Sequence, residues 1–157
     1  MMRVGQGFDV HAFSDDRSRP LVLGGVQFAD ERGLDGHSDA DVVAHACIDA
    51  LLGACGLGDV GQHFPDTDER WRDAHSIDLL TQVAGLVRGK GWSPLNVDCS
   101  VVCEAPKLAP RRDDMCRRLT QAVGAPVTVK GKRAEGLGSL GRGEGIACWA
   151  VALVERT

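Results

Sequence analysis

Two short constellations in this sequence combine residue types that ligate metals. Asp9 and His11 stand two apart in Gly7-Phe8-Asp9-Val10-His11, near the end of a strand-like segment, so both side chains project to one side. A carboxylate and an imidazole at that spacing can begin a metal site, although the pair alone also fits ordinary strand-end residues. His37-Ser38-Asp39-Ala40-Asp41 leads into a helical segment whose His45 lies one turn beyond Asp41, so these two share a helix face. His45 sits among Val42, Val43, Ala44 and Ala46, where an imidazole needs a partner: Asp41 satisfies it in the core, or it ligates a metal. If Asp9, His11 and His45 converge, they supply two nitrogens and one oxygen with a fourth position open. That is the arrangement of a catalytic zinc, whereas structural zinc is usually closed by four protein ligands. The same donors also accept other divalent metals.

Other candidate motifs carry less. Gly136-Leu137-Gly138-Ser139-Leu140-Gly141 spells G-x-G-x-x-G but runs into Arg142-Gly143-Glu144 and a strand, whereas the dinucleotide fingerprint follows a strand and opens a helix. It reads instead as a tight loop whose amides and Arg142 can sit near anions or pack at an interface. Lys130-Gly131-Lys132-Arg133 is a short basic run, solvated or in contact with phosphate. The six cysteines (Cys47, Cys55, Cys99, Cys103, Cys116 and Cys148) form no C-x-x-C, and most occupy apolar positions, so they read as buried reduced thiols.

The elements that must position these residues are legible from periodicity. Met2 to Val10 reads as a strand, Leu21 to Phe28 as a strand pair or a strand broken by glycines, and Gly58 to Arg72 as loop. Val42 to Cys55 reads as a helix, with Ser38 or Asp39 as its N-cap and Gly56 as its stop. Ser76 can cap a second helix, striped by Ile77, Leu80, Ala84 and Val87. A third starts near Arg111 and buries Met115, Leu119, Ala122 and Val123. Leu95, Val97, Cys99, Val101 and Cys103 alternate as a strand, and Val127 to Lys130 forms another. Gly145 to Glu155 is apolar on both faces, which calls for two coverings: helices on one side and a partner subunit on the other. The expectation is one α+β domain spanning 1–157, its mixed sheet covered by helices on one face.

Composition narrows the function classes. The chain has 157 residues, 43% hydrophobic and 25% charged, with a formal net charge of −4. That balance describes a folded globular chain and argues against a nucleic-acid partner, which needs a basic surface. No apolar run approaches the ~20 residues of a membrane span, and the first residues show no secretory signal. A cytoplasmic location without membrane partners is expected.

Val4-Gly5-Gln6-Gly7-Phe8-Asp9-Val10-His11, joined to Gly36-His37-Ser38-Asp39-Ala40-Asp41-Val42-Val43-Ala44-His45, resembles the 2-C-methyl-D-erythritol 2,4-cyclodiphosphate synthase family of the non-mevalonate isoprenoid pathway. Gly58-Asp59-Val60-Gly61, Phe64-Pro65-Asp66-Thr67-Asp68, Ala105-Pro106-Lys107 and Gly141-Arg142-Gly143-Glu144-Gly145 follow in the family's order across nearly the whole chain.

The resemblance implies a homotrimer of α+β subunits with active sites between neighbours. It implies zinc on Asp9, His11 and His45, and a second ion, magnesium or manganese, on Glu135. It makes His37 a transition-state stabiliser, with Ser38 beside it at the reacting phosphates and Asp9, Val10 and His11 among the substrate contacts. Asp59 and Gly61 would meet the ribose, and Phe64 and Asp66 would flank the methylerythritol pocket, with Val60, Pro65, Thr67 and Asp68 as further substrate contacts. Cys103, Glu104, Ala105, Pro106, Lys107, Leu108 and Ala109 would form the cytidine and phosphate loop of the adjacent subunit. Lys132, Arg133, Ala134 and Arg142 complete the substrate contacts. Lys132-Arg133-Ala134 departs from the family's usual threonines: a hydroxyl role at Arg133 is lost, and a guanidinium, itself a strong phosphate donor, stands there as the candidate catalytic group. Ala40, where the family often has Gly, reads as a mild change.

The implied reaction converts 4-diphosphocytidyl-2-C-methyl-D-erythritol 2-phosphate to the 2,4-cyclodiphosphate and CMP. Two rivals share the metal triad: a metal-dependent phosphohydrolase, which would yield uncyclised products, and a non-catalytic zinc-stabilised trimeric binding module, which would close its metal with four ligands.

Overall fold

Strict alternation governs the first strand of the computed structural model, which describes residues 1–157. Strand β1 (Met2–Ala12) turns Gly5, Gly7, Asp9 and His11 to one side, while Val4, Phe8 and Val10 face the other. It pairs antiparallel with β6 (Gly145–Arg156), Asp9 opposite Cys148. Next to β6 lies β4 (Trp92–Val102), also antiparallel, and beyond it β5 (Val127–Lys132), parallel to β4. The mixed sheet therefore runs β1-β6-β4-β5. A register shift between Pro94 and Asn96 changes the phase of β4, so Val97, Cys99 and Val101 are buried while Leu95, expected inward, is only half-buried.

Helix α1 (Val42–Cys55) lies against β1 and β6 and is buried over most of its surface. Its closeness follows from two glycines. A Cβ on Gly5 would stand 2.1 Å from the Ala50 carbonyl oxygen, and one on Gly7 would stand 2.0 Å from that of Ala46. The helix backbone thus rests directly on the strand, one turn from the metal-ligating residue types of both. Because the obstacle is backbone, Gly7→Ala is expected to destabilise the fold by about 3 kcal/mol, the upper end of overpacking costs. Urea unfolding checks this; an unchanged midpoint would contradict the close-approach account.

The N-cap of α1 is Asp41, not Ser38 or Asp39: its carboxylate accepts the Val43 and Ala44 N–H groups, each at 3.1 Å. It also binds a separate element, the hairpin of β2 (Leu21–Leu23) and β3 (Val26–Phe28). The hairpin turn, Gly24-Gly25, has φ of +59° and +72°, the left-handed pair of a two-residue type I′ loop. Asp41 accepts the Gly24 N–H at 2.8 Å and the Gly25 N–H at 2.7 Å. Gly56 ends α1 in the left-handed region, as expected.

The segment read as loop contains α2 (Val60–His63) and a 3-10 turn, Glu69–Trp71. Helix α3 (Ser76–Gly89) packs on α1 and β4, and α4 (Arg112–Val123) on β5 and α3. Ser76 does not cap α3: it is the first helical residue, and its hydroxyl points elsewhere. Helix α4 buries Met115, Leu119, Ala122 and Val123, the predicted stripe. The glycine-rich stretch forms a single turn, α5 (Gly138–Gly141), and leads into β6. All six cysteines are free thiols, five buried and Cys116 half-buried.

The helices cover one face of the sheet. On the other, Met2, Val4, Phe8 and Val10 of β1 and Trp149 and Val151 of β6 are exposed, with the Phe8 and Trp149 rings 4.8 Å apart. Within one chain, the second face of the last strand is open at these positions.

Candidate active site

Where β1 meets α1, three donor atoms converge. The Asp9 Oδ2 lies 2.9 Å from His11 Nε2 and 3.0 Å from His45 Nδ1, and the two nitrogens are 3.4 Å apart. Corners of a tetrahedral site with bonds of ~2.0–2.1 Å are about 3.3–3.4 Å apart, so the triangle matches a divalent ion with little adjustment.

The ring orientations agree. His11 Nδ1 lies 2.8 Å from the Asp35 carbonyl oxygen; a carbonyl only accepts, so Nδ1 carries the proton and Nε2 offers its lone pair to the centre. His45 turns Nε2 to the Ser76 Oγ at 2.8 Å and Nδ1 to the centre. Its partner is therefore not Asp41, whose carboxylate faces the hairpin.

The electrostatics favour positive charge at this point. Burial works against an ionised Asp9, yet His11 and His45, which bond and attract it when their facing nitrogens carry protons in place of a metal, hold its carboxyl well below the usual range. Burial likewise opposes a charged His11, but the bond to Asp9 and its charge raise that imidazole above its ordinary value. Asp9, His11 and His45 form a group that can hold a divalent metal.

The centre is at the side of a cavity of about 410 Å³ lined by His37, Ser38, Val60, Gly61, Phe64, Pro65 and Asp66, among others. Sequence reasoning missed three lining residues, Gly36, Trp71 and Leu79. Trp71 stands edge-on to Phe64 with centroids 5.0 Å apart; no local pattern singled it out from a region read as loop. His37 Nε2 donates to the Asp68 carbonyl oxygen at 3.1 Å, which leaves Nδ1 for the cavity. Asp59 caps α2 through the Gln62 N–H, and Asp68 pairs with Arg70. Neither these two nor Thr67 lines the cavity. Val10 turns its side chain to the opposite, exposed face.

A family model described as the YgbB family matches residues 2–155. The chain belongs to the YgbB family. Among curated members, this YgbB-family chain is 56% identical over 158 residues to the 2-C-methyl-D-erythritol 2,4-cyclodiphosphate synthase of Rubrobacter xylanophilus, covering 98% of this chain and 95% of that one. It is 50% identical over 160 residues to the synthase of Geobacillus kaustophilus, covering both in full. Of the solved structures, the bifunctional IspDF of Campylobacter jejuni superposes at a TM-score of 0.94 with 39% identity, over 100% of this chain and 43% of that longer one. The Plasmodium falciparum IspF–CDP complex superposes at 0.85 with 31% identity, over 99% and 97%.

In this YgbB-family chain the remaining predicted residues lie apart from the centre. Cys103, Glu104, Pro106, Lys107, Leu108 and Ala109 line a second cavity of about 270 Å³ with Lys132 and Arg133. There Glu104 accepts the Ala134 N–H at 2.7 Å and faces the Arg133 guanidinium at 3.5 Å. Ala105, Glu135 and Arg142 line neither cavity. Arg142 pairs with Glu144, and Glu135 holds φ of +54° in the loop before α5.

Proposed function

We propose that the chain converts 4-diphosphocytidyl-2-C-methyl-D-erythritol 2-phosphate to 2-C-methyl-D-erythritol 2,4-cyclodiphosphate and CMP. The observation that carries this reading is the convergence of Asp9, His11 and His45 on one point beside a cavity walled by His37, Ser38, Val60, Gly61, Phe64, Pro65 and Asp66. Its closely similar relatives bear the name of that synthase.

In the reaction an oxygen of the 2-phosphate attacks the β-phosphorus of the same molecule. The bond from that phosphorus to the oxygen bridging it to the α-phosphate breaks, and CMP leaves with that oxygen. The nucleophile is already anionic, so the protein supplies no base; its task is positioning and charge stabilisation. Asp9, His11 and His45 would hold zinc, which as a Lewis acid draws charge from the β-phosphate. His37 and Ser38 face the same cavity as polar contacts for the phosphates; His37 spends Nε2–H on Asp68, so it donates to phosphate through Nδ1 only as imidazolium. Phe64, Pro65, Leu79 and Trp71 give the methylerythritol carbon skeleton an apolar wall and exclude water, which would otherwise capture the β-phosphorus.

The second cavity is assigned to cytidine and its phosphates. Lys107, Lys132 and Arg133 supply positive charge there; by the family resemblance Ala105, Ala134 and Arg142 would be further substrate contacts, and Glu135 would hold a second ion, magnesium or manganese, that offsets charge on the leaving CMP. The separation of the two cavities on one chain and the exposed Phe8–Trp149 face both support a homotrimer with sites between subunits. No helix is long and apolar enough to cross a membrane, in keeping with a cytoplasmic location.

Incubating the protein with the substrate, with and without a chelator, tests the reading. CMP and cyclic diphosphate are expected in equal amounts, lost on chelation and restored by zinc. Linear phosphate products would indicate a hydrolase, and metal binding without turnover a binding module; either result sinks the proposal.

A further inference from the structure

We propose that Asp39, acting through the Ser76 hydroxyl, is a positioning residue that fixes which nitrogen of His45 faces the metal point. The inference rests on reading Asp9, His11 and His45 as a metal site, and concerns residues outside it. Ser76 is fully buried at the first turn of α3. The Asp39 carboxylate takes both of its protons: Oδ1 accepts from the hydroxyl at 2.5 Å, and Oδ2 accepts from the backbone N–H at 3.2 Å. A carboxylate only accepts, so the hydroxyl proton is committed to Asp39. Ser76 Oγ can then meet His45 Nε2, at 2.8 Å, only as an acceptor. His45 Nε2 must carry hydrogen, and Nδ1 is left with its lone pair toward Asp9 and His11.

Without Asp39 the hydroxyl is free to turn round and donate to Nε2. The ring proton would then sit on Nδ1, at the metal point, and close one of three donors. Ser38 is a weaker alternative: its Oγ lies 3.3 Å from His45 Nε2 and already accepts the Ala40 N–H at 3.2 Å. The chain Asp39–Ser76–His45 thus does for His45 what the Asp35 carbonyl does for His11, through two side chains in place of a carbonyl. Partners of this kind typically carry a 10–100-fold share of metal affinity when they bond a ligating histidine.

The test is zinc affinity of the metal-stripped full chain, by competition with a chromophoric chelator, with circular dichroism confirming the fold. Ser76→Ala and Asp39→Asn are each expected to bind zinc about 10–100-fold more weakly, while Ser76→Thr, which keeps the hydroxyl, stays within about threefold of the unaltered chain. Asparagine is informative because its amide can donate to Ser76 and reverse the chain. The double variant should be little weaker than Ser76→Ala, since both changes break one path. In the zinc-loaded protein, the slowly exchanging His45 Nε2–H resonance should be present and should vanish in Ser76→Ala. Undiminished zinc affinity in Ser76→Ala, or an equal loss in Ser38→Ala, overturns this inference alone. If the unaltered chain binds no zinc, the reading of the triad falls with it.

Discussion

A His45→Ala chain is expected to lose zinc and to release CMP on the order of 10³-fold more slowly, the equivalent of about 4 kcal/mol of transition-state stabilisation by the metal. The magnitude follows from what the substitution removes. His45 contributes one of three donors, 3.0 Å from Asp9 and 3.4 Å from His11, and two donors do not hold an ion against water and chelators. The loss is chemical rather than architectural, because α1 keeps Asp41 at its N-terminus and its close seat on Gly5 and Gly7. Metal content and product analysis on the same sample check this. CMP release near the unaltered rate in protein without metal would show that the triad does not serve the reaction. Protein that keeps its metal but forms linear products would show that water, not the 2-phosphate, is the nucleophile.

Local periodicity made most of the scaffold legible. The α4 stripe, the Gly56 stop of α1 and the alternation of β1 need only neighbours in sequence, and these emerge as expected. Asp9 and His11 were readable as a pair because a strand fixes their common side. Whether His45 joins them depended on the gap between α1 and β1, which the Gly5 and Gly7 contacts set; that distance belongs to packing, not to pattern. Ser76 fitted a helix cap by type and position, and only the approach of α1 and α3 turns its hydroxyl to His45. Leu95 was misassigned because a bulge breaks the period of two without leaving a mark in composition. Ala40 is more than a mild change: it holds φ of +56° while fully buried, a left-handed conformation that costs an alanine about 1–2 kcal/mol.

The largest stability effect is expected at Asp41, a residue outside the chemistry. Its two oxygens accept four backbone N–H groups, those of Val43 and Ala44 at the start of α1 and those of Gly24 and Gly25 in the hairpin turn. Asp41→Ala removes an N-cap, at about 1–2 kcal/mol, and strands two further donors in the interior at about 1–3 kcal/mol each. A total of about 3–8 kcal/mol is expected, a large fraction of the stability of a small domain. Asp41→Asn should cost about half as much, since one acceptor oxygen survives and the new amide can satisfy only part of the set. Urea unfolding measures the totals. Amide exchange separates their origin, because Gly24 and Gly25 should lose protection in both variants before the centre of α1 does. Equal, small losses would mean that the hairpin is held by Leu21, Leu23 and Phe28 packing alone. The larger loss would show that one carboxylate joins the hairpin to the helix that carries His45, so that the metal centre inherits its rigidity from a residue that never touches it.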